Sequence, residues 1–272
     1  MWCDGSVTPQ PSATELAEIA RQLARGAGQL IRTHRHDRFE IDTKSTPTDV
    51  VTEVDRRVEA YIRSELAARR PEDAVIGEEA GGRPGSSGVR WFVDPIDGTV
   101  NFVLGLPQYA VSIAAEVGGR IVAGCVHNPI SGELFHASLG GGAFHGDQRL
   151  PGPRQVLLER AVVATGFGYD SERRAKQATV VATLLPRIGD IRRLGSAALD
   201  LCAVAAGRLD GYYEVGLNPW DWSAGVLIAS EAGCPVSGLR GRPPSGLMTA
   251  VAGAALAPEL FALLEEIGAD DV

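Results

Sequence analysis

Apolar residues recur at three- and four-residue intervals after Ser12. Leu16, Ile19, Ala20, Leu23, Ala27, Leu30 and Ile31 form one stripe, which predicts an amphipathic helix with Ser12-Ala-Thr-Glu15 as its capping box. The same period in Val54, Val58, Tyr61, Ile62 and Leu66 predicts a second helix over about 53–68. The pattern then shortens. Strand-like runs at 74–76, 91–93, 110–116, 120–128, 134–137 and 143–145, punctuated by Gly118-Gly119 and Gly140-Gly141-Gly142, predict a largely antiparallel sheet. Pro151-Gly152-Pro153 marks a lobe boundary. Beyond it, strands at 161–164, 191–193 and 211–214 alternate with helices at 171–185, 196–206 and 220–232, the rhythm of an α/β layer. The expected organisation is a mobile lead-in over 1–12, an α+β lobe over 13–150 and an α/β lobe over 151–272.

Carboxylates gather where these elements end. The run Trp91-Phe-Val-Asp-Pro-Ile-Asp-Gly-Thr-Val-Asn-Phe102 carries Asp94 and Asp97 into a segment shaped by Pro95 and Gly98, with the Thr99 hydroxyl beside them. Upstream, Asp55 lies near the start of the second helix, and the strand Ala74-Val-Ile76 runs through Gly77 to Glu78 and Glu79. Downstream, Asn218-Pro-Trp-Asp-Trp-Ser-Ala-Gly225 opens a helix with Asp221 near its N-terminus and Gly233 as its stop. Each motif alone has an ordinary explanation. Asp-x-x-Asp-Gly is a common polar turn, Asp221 a helix-start acid, and Asp55 a solvated acid beside Arg56 and Arg57. Four such ends in one chain suggest one site, and hard oxygen ligands of this kind suit Mg²⁺ or Mn²⁺.

As an ordered set, Lys44-Ser-Thr-Pro-Thr-Asp-Val-Val-Thr-Glu-Val-Asp55, Gly77-Glu-Glu79, Asp94-Pro-Ile-Asp-Gly-Thr-Val-Asn-Phe102 and Trp220-Asp-Trp-Ser-Ala-Gly225 resemble the motifs of the inositol monophosphatase family of metal-dependent, lithium-sensitive phosphatases. The resemblance runs from about Glu15 to Gly233 and implies an α-β-α-β-α layered sandwich of the inositol monophosphatase / fructose-1,6-bisphosphatase type, with the active site between the lobes. It implies a Mg²⁺-dependent phosphomonoesterase that hydrolyses inositol monophosphate or a similar polyol phosphate by attack of a metal-activated water. Two or three Mg²⁺ ions, with Mn²⁺ as an alternative, would be held by Glu78, Asp94, the Ile96 carbonyl, Asp97 and Asp221, with Asp94 bridging. Thr99 and Asp55 resemble the family's water-orienting pair, and Lys44 resembles a family lysine near the metals; a solvated loop cation is the competing account of Lys44. The amides of Gly98 and Thr99 would meet phosphate oxygens, while Gly195, Ser196, Ala197 and Glu214, with Asp97 and Asp221, resemble the substrate-contacting positions. Close packing of helix on sheet would equally explain Gly195 and Ala197. Val100 departs from the Thr usual at its position, and Leu217-Asn218-Pro219 also differs from animal relatives, which bears on pocket shape. A homodimer is implied as well. Other outcomes remain open: a phosphatase for histidinol phosphate, fructose 1,6-bisphosphate or a 3′-phosphonucleotide, or a non-catalytic module binding RNA machinery.

Composition narrows the field further. At 272 residues, 44% hydrophobic and 22% charged, the chain has the make-up of a globular enzyme. Its formal net charge of −8 argues against nucleic-acid partners and acidic membranes, and it sets an electrostatic problem. Clustered carboxylates repel a phosphate unless divalent cations stand between them. Cys3, Cys125, Cys202 and Cys234 form no Cys-x-x-Cys pair, the start lacks a signal-peptide pattern, and 247–260 is too short and Gly-interrupted to span a bilayer, so a cytoplasmic protein with reduced thiols is expected. His34 and His36 read as a solvated helix end, and Gly140-Gly141-Gly142 as a hairpin turn.

Overall fold

The computed structural model describes residues 11–35, 41–43 and 50–272. Helix α1 (Ala13–His34) begins at Ser12, whose side chain accepts from the Glu15 amide while the Glu15 carboxylate accepts from the Ser12 amide at 2.8 Å. Strands β1 (Ile41–Thr43) and β2 (Val50–Thr52) pair antiparallel and lead into α2 (Glu53–Arg69). Thr52 caps α2, and Asp55 closes the box by accepting from the Thr52 amide at 2.8 Å. His36 and Lys44 lie outside the described residues.

The first large sheet is built from β3 (Ala74–Gly77), β4 (Gly81–Arg83), β5 (Val89–Asp97), β6 (Ala110–Val117), β7 (Arg120–His127), β8 (Leu134–Ser138), β9 (Gly142–His145) and β10 (Gln148–Arg149), with the short helix α3 (Thr99–Leu104) between β5 and β6. Its order is β10-β9-β8-β7-β6-β5-β3-β4, antiparallel except where β3 runs parallel to β5. Side-chain alternation sends Trp91, Val93, Val111 and Ile113 to one face, where α1 and α2 cover them, and Phe92, Ala110 and Ala114 to the other.

The second half supplies β11 (Val162–Thr165), α4 (Ser171–Leu184), β12 (Asp190–Arg192), α5 (Ala197–Ala205), β13 (Gly211–Glu214), α6 (Pro219–Glu231), β14 (Val236–Ser237), β15 (Thr249–Ala252) and α7 (Ala257–Glu266). The sheet order is β12-β11-β13-β15-β14, with β11 parallel to both neighbours. Three cores define the layers. Helices α1 and α2 share a core with the first sheet, and α5 and α6 share one with the opposite face of that sheet and with Ala164, Tyr212 and Val251 of the second. Helices α4 and α7 cover the far face of the second sheet through Val180, Leu184, Leu260 and Leu264. The result is the α-β-α-β-α sandwich expected from the resemblance. Because α5 and α6 are covered by sheet on both sides, they are apolar nearly all round, as buried helices must be.

One segment differs from expectation. The strand read as ending at Val93 continues as β5 through Pro95 to Asp97, because a bulge there tolerates a residue without an amide hydrogen. The apolar stretch 247–260 contributes β15 and the start of α7.

Candidate active site

The bulge in β5 decides where its acids point. Asp94 lies opposite Ser112, whereas Asp97 lies opposite Ala110, so three steps along β5 match two along β6. Strict alternation would send Asp94 and Asp97 to opposite faces of the sheet. The extra residue restores both to the face that meets α5 and α6. Gly98 follows with φ 98°, and a Cβ there would stand 3.0 Å from both the Gln108 and Gly195 carbonyl oxygens. Glycine is thus required by conformation and by space, and it starts α3 with Thr99.

A cavity of about 440 Å³ opens at this point, lined by Glu78 after β3, by Asp94, Ile96, Asp97, Gly98 and Thr99, by Gly195, Ser196 and Ala197 at the start of α5, and by Glu214 and Asp221. Asp55 reaches the site indirectly. It is fully buried, and the Thr99 hydroxyl stands 3.2 Å from its Oδ1 and 3.0 Å from the Ile96 carbonyl oxygen. Arg56 and Arg57, its sequence neighbours, pair with Asp42 and Glu53. The solvated-acid account of Asp55 is therefore excluded by its surroundings. Trp220 lines the cavity and Trp222 is not among its lining residues.

The second half of the chain grips the first at these residues. Asp97 Oδ2 accepts from Ser196 Oγ at 2.6 Å and from the Ala198 amide at 2.7 Å, at the positive end of α5. Asn101 donates to the Leu194 carbonyl at 2.8 Å, and Ser112 Oγ donates to the Trp220 carbonyl at 2.9 Å, beside Asp221. Asp221 itself accepts from the Asn218 amide at 2.6 Å. On the other side, buried Glu59 of α2 accepts from the Glu79 and Ala80 amides at 2.7 and 2.9 Å and so fixes the turn that presents Glu78.

Electrostatics set the acids apart from surface carboxylates. Burial, then repulsion from Glu78, Asp97 and Asp221, lifts Asp94 well above the usual carboxylate range. Burial, then Asp97 and Glu78, does the same to Asp221. Asp97 is pushed up to about 6 by burial, against the opposing Ser196 and Ala198 hydrogen bonds, and Glu214 to about 7 by burial, against its 2.6 Å hydrogen bond from Tyr212. Asp94, Asp97 and Asp221 form no ion pair among the described residues, so an added cation is what would relieve their repulsion. Their all-oxygen chemistry fits a hard divalent ion. Among the described residues no three of the acids, nor any other three His, Cys, Asp or Glu side chains, already stand as a group that could hold an ion. The acids face an open cavity, which suits an ion that keeps part of its ligation for water and substrate.

Several lining residues escaped the sequence reading: Phe167, Tyr169, Arg173, Arg193 and Asp200. Only Asp200 offered a signal, as the lone charged residue in the otherwise apolar run Ala197–Ala205.

Residues 12–269 match the inositol monophosphatase family model. The chain belongs to this family. It is 44% identical over 282 residues to inositol-1-monophosphatase SuhB of Mycobacterium tuberculosis, covering 94% of this chain and 96% of that protein. It is 41% identical over 230 residues to Nus factor SuhB of Escherichia coli, covering 83% and 86%. The crystal structure of the extragenic suppressor protein suhB from Bartonella henselae superposes with a TM-score of 0.88 at 35% identity, covering 93% of this chain and 99% of that one. Family membership accounts for the layered fold. Among the described residues no helix is long and apolar enough to cross a membrane.

Proposed function

We propose that this inositol monophosphatase family member is a Mg²⁺-dependent phosphomonoesterase acting on inositol monophosphate or a similar polyol phosphate. The observation that carries the reading is the convergence of Glu78, Asp94, Asp97 and Asp221, from three separate stretches of chain, on one cavity beside the buried Thr99–Asp55 pair. Two or three Mg²⁺ ions, or Mn²⁺, held by Glu78, Asp94, the Ile96 carbonyl, Asp97 and Asp221 would neutralise phosphate charge and make water acidic enough to attack at neutral pH. The remaining work belongs to the chain. Thr99 Oγ, donating to Asp55, presents a lone pair that orients the attacking water and takes part in removing its proton. The amides of Gly98 and Thr99 hold phosphate oxygens, and α5 keeps Asp97 fixed through Ser196 and Ala198. Gly195, Ala197 and Glu214 shape the polyol side. Lys44 is proposed to add a cation near the phosphate.

Division into a lobe over 13–150 and a lobe over 151–272, assembly as a homodimer and a cytoplasmic setting belong to the same reading; free, buried Cys125, Cys202 and Cys234 suit the last. Phosphate release from inositol 1-phosphate, histidinol phosphate, fructose 1,6-bisphosphate and a 3′-phosphonucleotide, with and without Mg²⁺, tests the proposal. Metal-independent release, or none from any polyol phosphate, defeats it. A second reading, a role with the transcription machinery, is favoured by the name Nus factor carried by the Escherichia coli relative. Such a role would survive Asp94→Asn, whereas phosphatase activity would not.

A further inference from the structure

Helix α5 is built from Ala-Ala-Leu-Asp-Leu-Cys-Ala-Val-Ala, and Asp200 is its only polar side chain. The residue is 1% exposed, yet it lines the cavity, and its Oδ1 has no hydrogen-bond partner among the described residues. A buried, unsatisfied carboxyl oxygen costs stability, and a leucine or methionine would cost less at this position between the core residues Leu199 and Leu201. A native structure that keeps such a group calls for an explanation.

The surroundings supply one. Asp200 lies one turn beyond Ser196, which holds Asp97, and its charged neighbours are Glu214, Asp97 and Arg193. Glu214 is locked in place. Its carboxylate accepts from Tyr212, and a Cβ on Gly166 would come within 2.0 Å of its Oε2, so backbone is pressed against it. Arg193 lines the same wall, with its Nη1 beside Gly195. An acceptor, a fixed second carboxylate and a guanidinium therefore share one side of the cavity. Phosphate has no use for two carboxylates there, whereas hydroxyl groups both donate to and accept from such a wall.

We infer that Asp200 is a specificity-determining residue that, beside Glu214, hydrogen-bonds a ring hydroxyl of the polyol. This rests on the proposed polyol-phosphate reading and names a residue of the polyol subsite. Burial raises the Asp200 carboxyl well above the usual range, so it can donate as well as accept. Sites that satisfy a substrate hydroxyl discriminate strongly, because their polar groups are left unpaired by a substrate without it.

The test uses the full-length enzyme with Mg²⁺, inositol 1-phosphate and phenyl phosphate as substrates, and thermal melts of every variant. Asp200→Leu should lower kcat/KM for inositol 1-phosphate at least about ten-fold more than for phenyl phosphate, with Tm equal to or above that of the parent. Asp200→Asn, which keeps a donor and an acceptor at the same volume, should recover most of that loss. Equal losses on both substrates, a lowered Tm in Asp200→Leu without a substrate split, or full inositol phosphate activity in that variant overturns the inference. A parent enzyme that cleaves phenyl phosphate and no polyol phosphate overturns it while leaving a phosphatase. A parent that cleaves neither overturns the underlying functional reading as well.

Discussion

Replacing Thr99 by valine tests its proposed proton-handling role apart from the proposed metal binding, because it removes one hydroxyl at nearly constant volume. Thr99 is 8% exposed, and its Oγ is within hydrogen-bond reach of Asp55 Oδ1 and the Ile96 carbonyl oxygen. A hydrogen bond to a charged, buried group is worth about 1.5–3 kcal/mol. At roughly 2–4 °C per kcal/mol for a domain of this size, Thr99→Val should melt roughly 3–12 °C lower. The kinetic loss should be far larger. If Thr99 and Asp55 orient and deprotonate the attacking water, kcat should fall by about 10²–10⁴, the usual weight of a positioned acid–base group. Thr99→Ser keeps the hydroxyl and should stay within a few-fold of the parent. Phosphate release at saturating Mg²⁺, well below the melting range, reads kcat, and a thermal melt reads stability. Retention of more than about a tenth of kcat in Thr99→Val, or equal losses in the serine and valine variants, refutes the assignment.

Asp94→Asn should abolish turnover yet raise Tm in EDTA, since it replaces a buried carboxyl that is costly to ionise beside Glu78, Asp97 and Asp221; a lowered Tm in EDTA would contradict that account. Folded-state values of about 6 for Asp97 and about 7 for Glu214 exceed the ordinary carboxylate value of about 4, so their contribution to stability is complete below that value and is lost as pH rises through 6 and 7. Melts in EDTA should therefore decline over that window, and Asp97→Asn and Glu214→Gln should each flatten the decline; an unchanged slope in both variants counts against it. Glu59→Gln should weaken Mg²⁺ binding about 10–100-fold by loosening the turn that begins at Glu78, measurable by titration calorimetry, and unchanged affinity would remove Glu59 from the site's support. Light scattering should give twice the 28.7 kDa chain mass, and a monomer at micromolar concentration would dismiss the dimer.

The fold was legible where period and punctuation agree. Helix α1 shows its buried stripe and its capping box in sequence, and Pro151-Gly152-Pro153 falls between the strands of the two large sheets. Helices α5 and α6 were readable by length and start signals although their periodicity is faint, because both faces are covered by sheet. What periodicity could not reveal was the β5 bulge. Strict alternation sends Asp94 and Asp97 to opposite faces, and only the pairing with β6 shows that they share one. Short edge strands such as β4, whose Gly81 and Gly82 bury little, carry no hydrophobic signature. The candidate site was legible as an ordered set of acid motifs, whereas its supports, Glu59 and Asn101, depend on contacts between residues far apart in the chain. Lys44 lies outside the described residues.

The grip of α5 and α6 on β5 has a consequence for how the molecule is made. Ribosomes deliver Glu78, Asp94 and Asp97 long before the α5 amide that holds Asp97 and before Asp221. A nascent chain stalled short of residue 197 carries its first acids beside a sheet face that α5 and α6 have not yet covered, so those carboxylates stay hydrated and have not acquired the repulsion that burial among the other acids brings. Docking of the late helices dehydrates the acids and shuts the apolar face in the same movement. On the proposed metal-dependent reading, newly made chains would gain metal affinity only when these helices dock, and divalent cations would favour that docking.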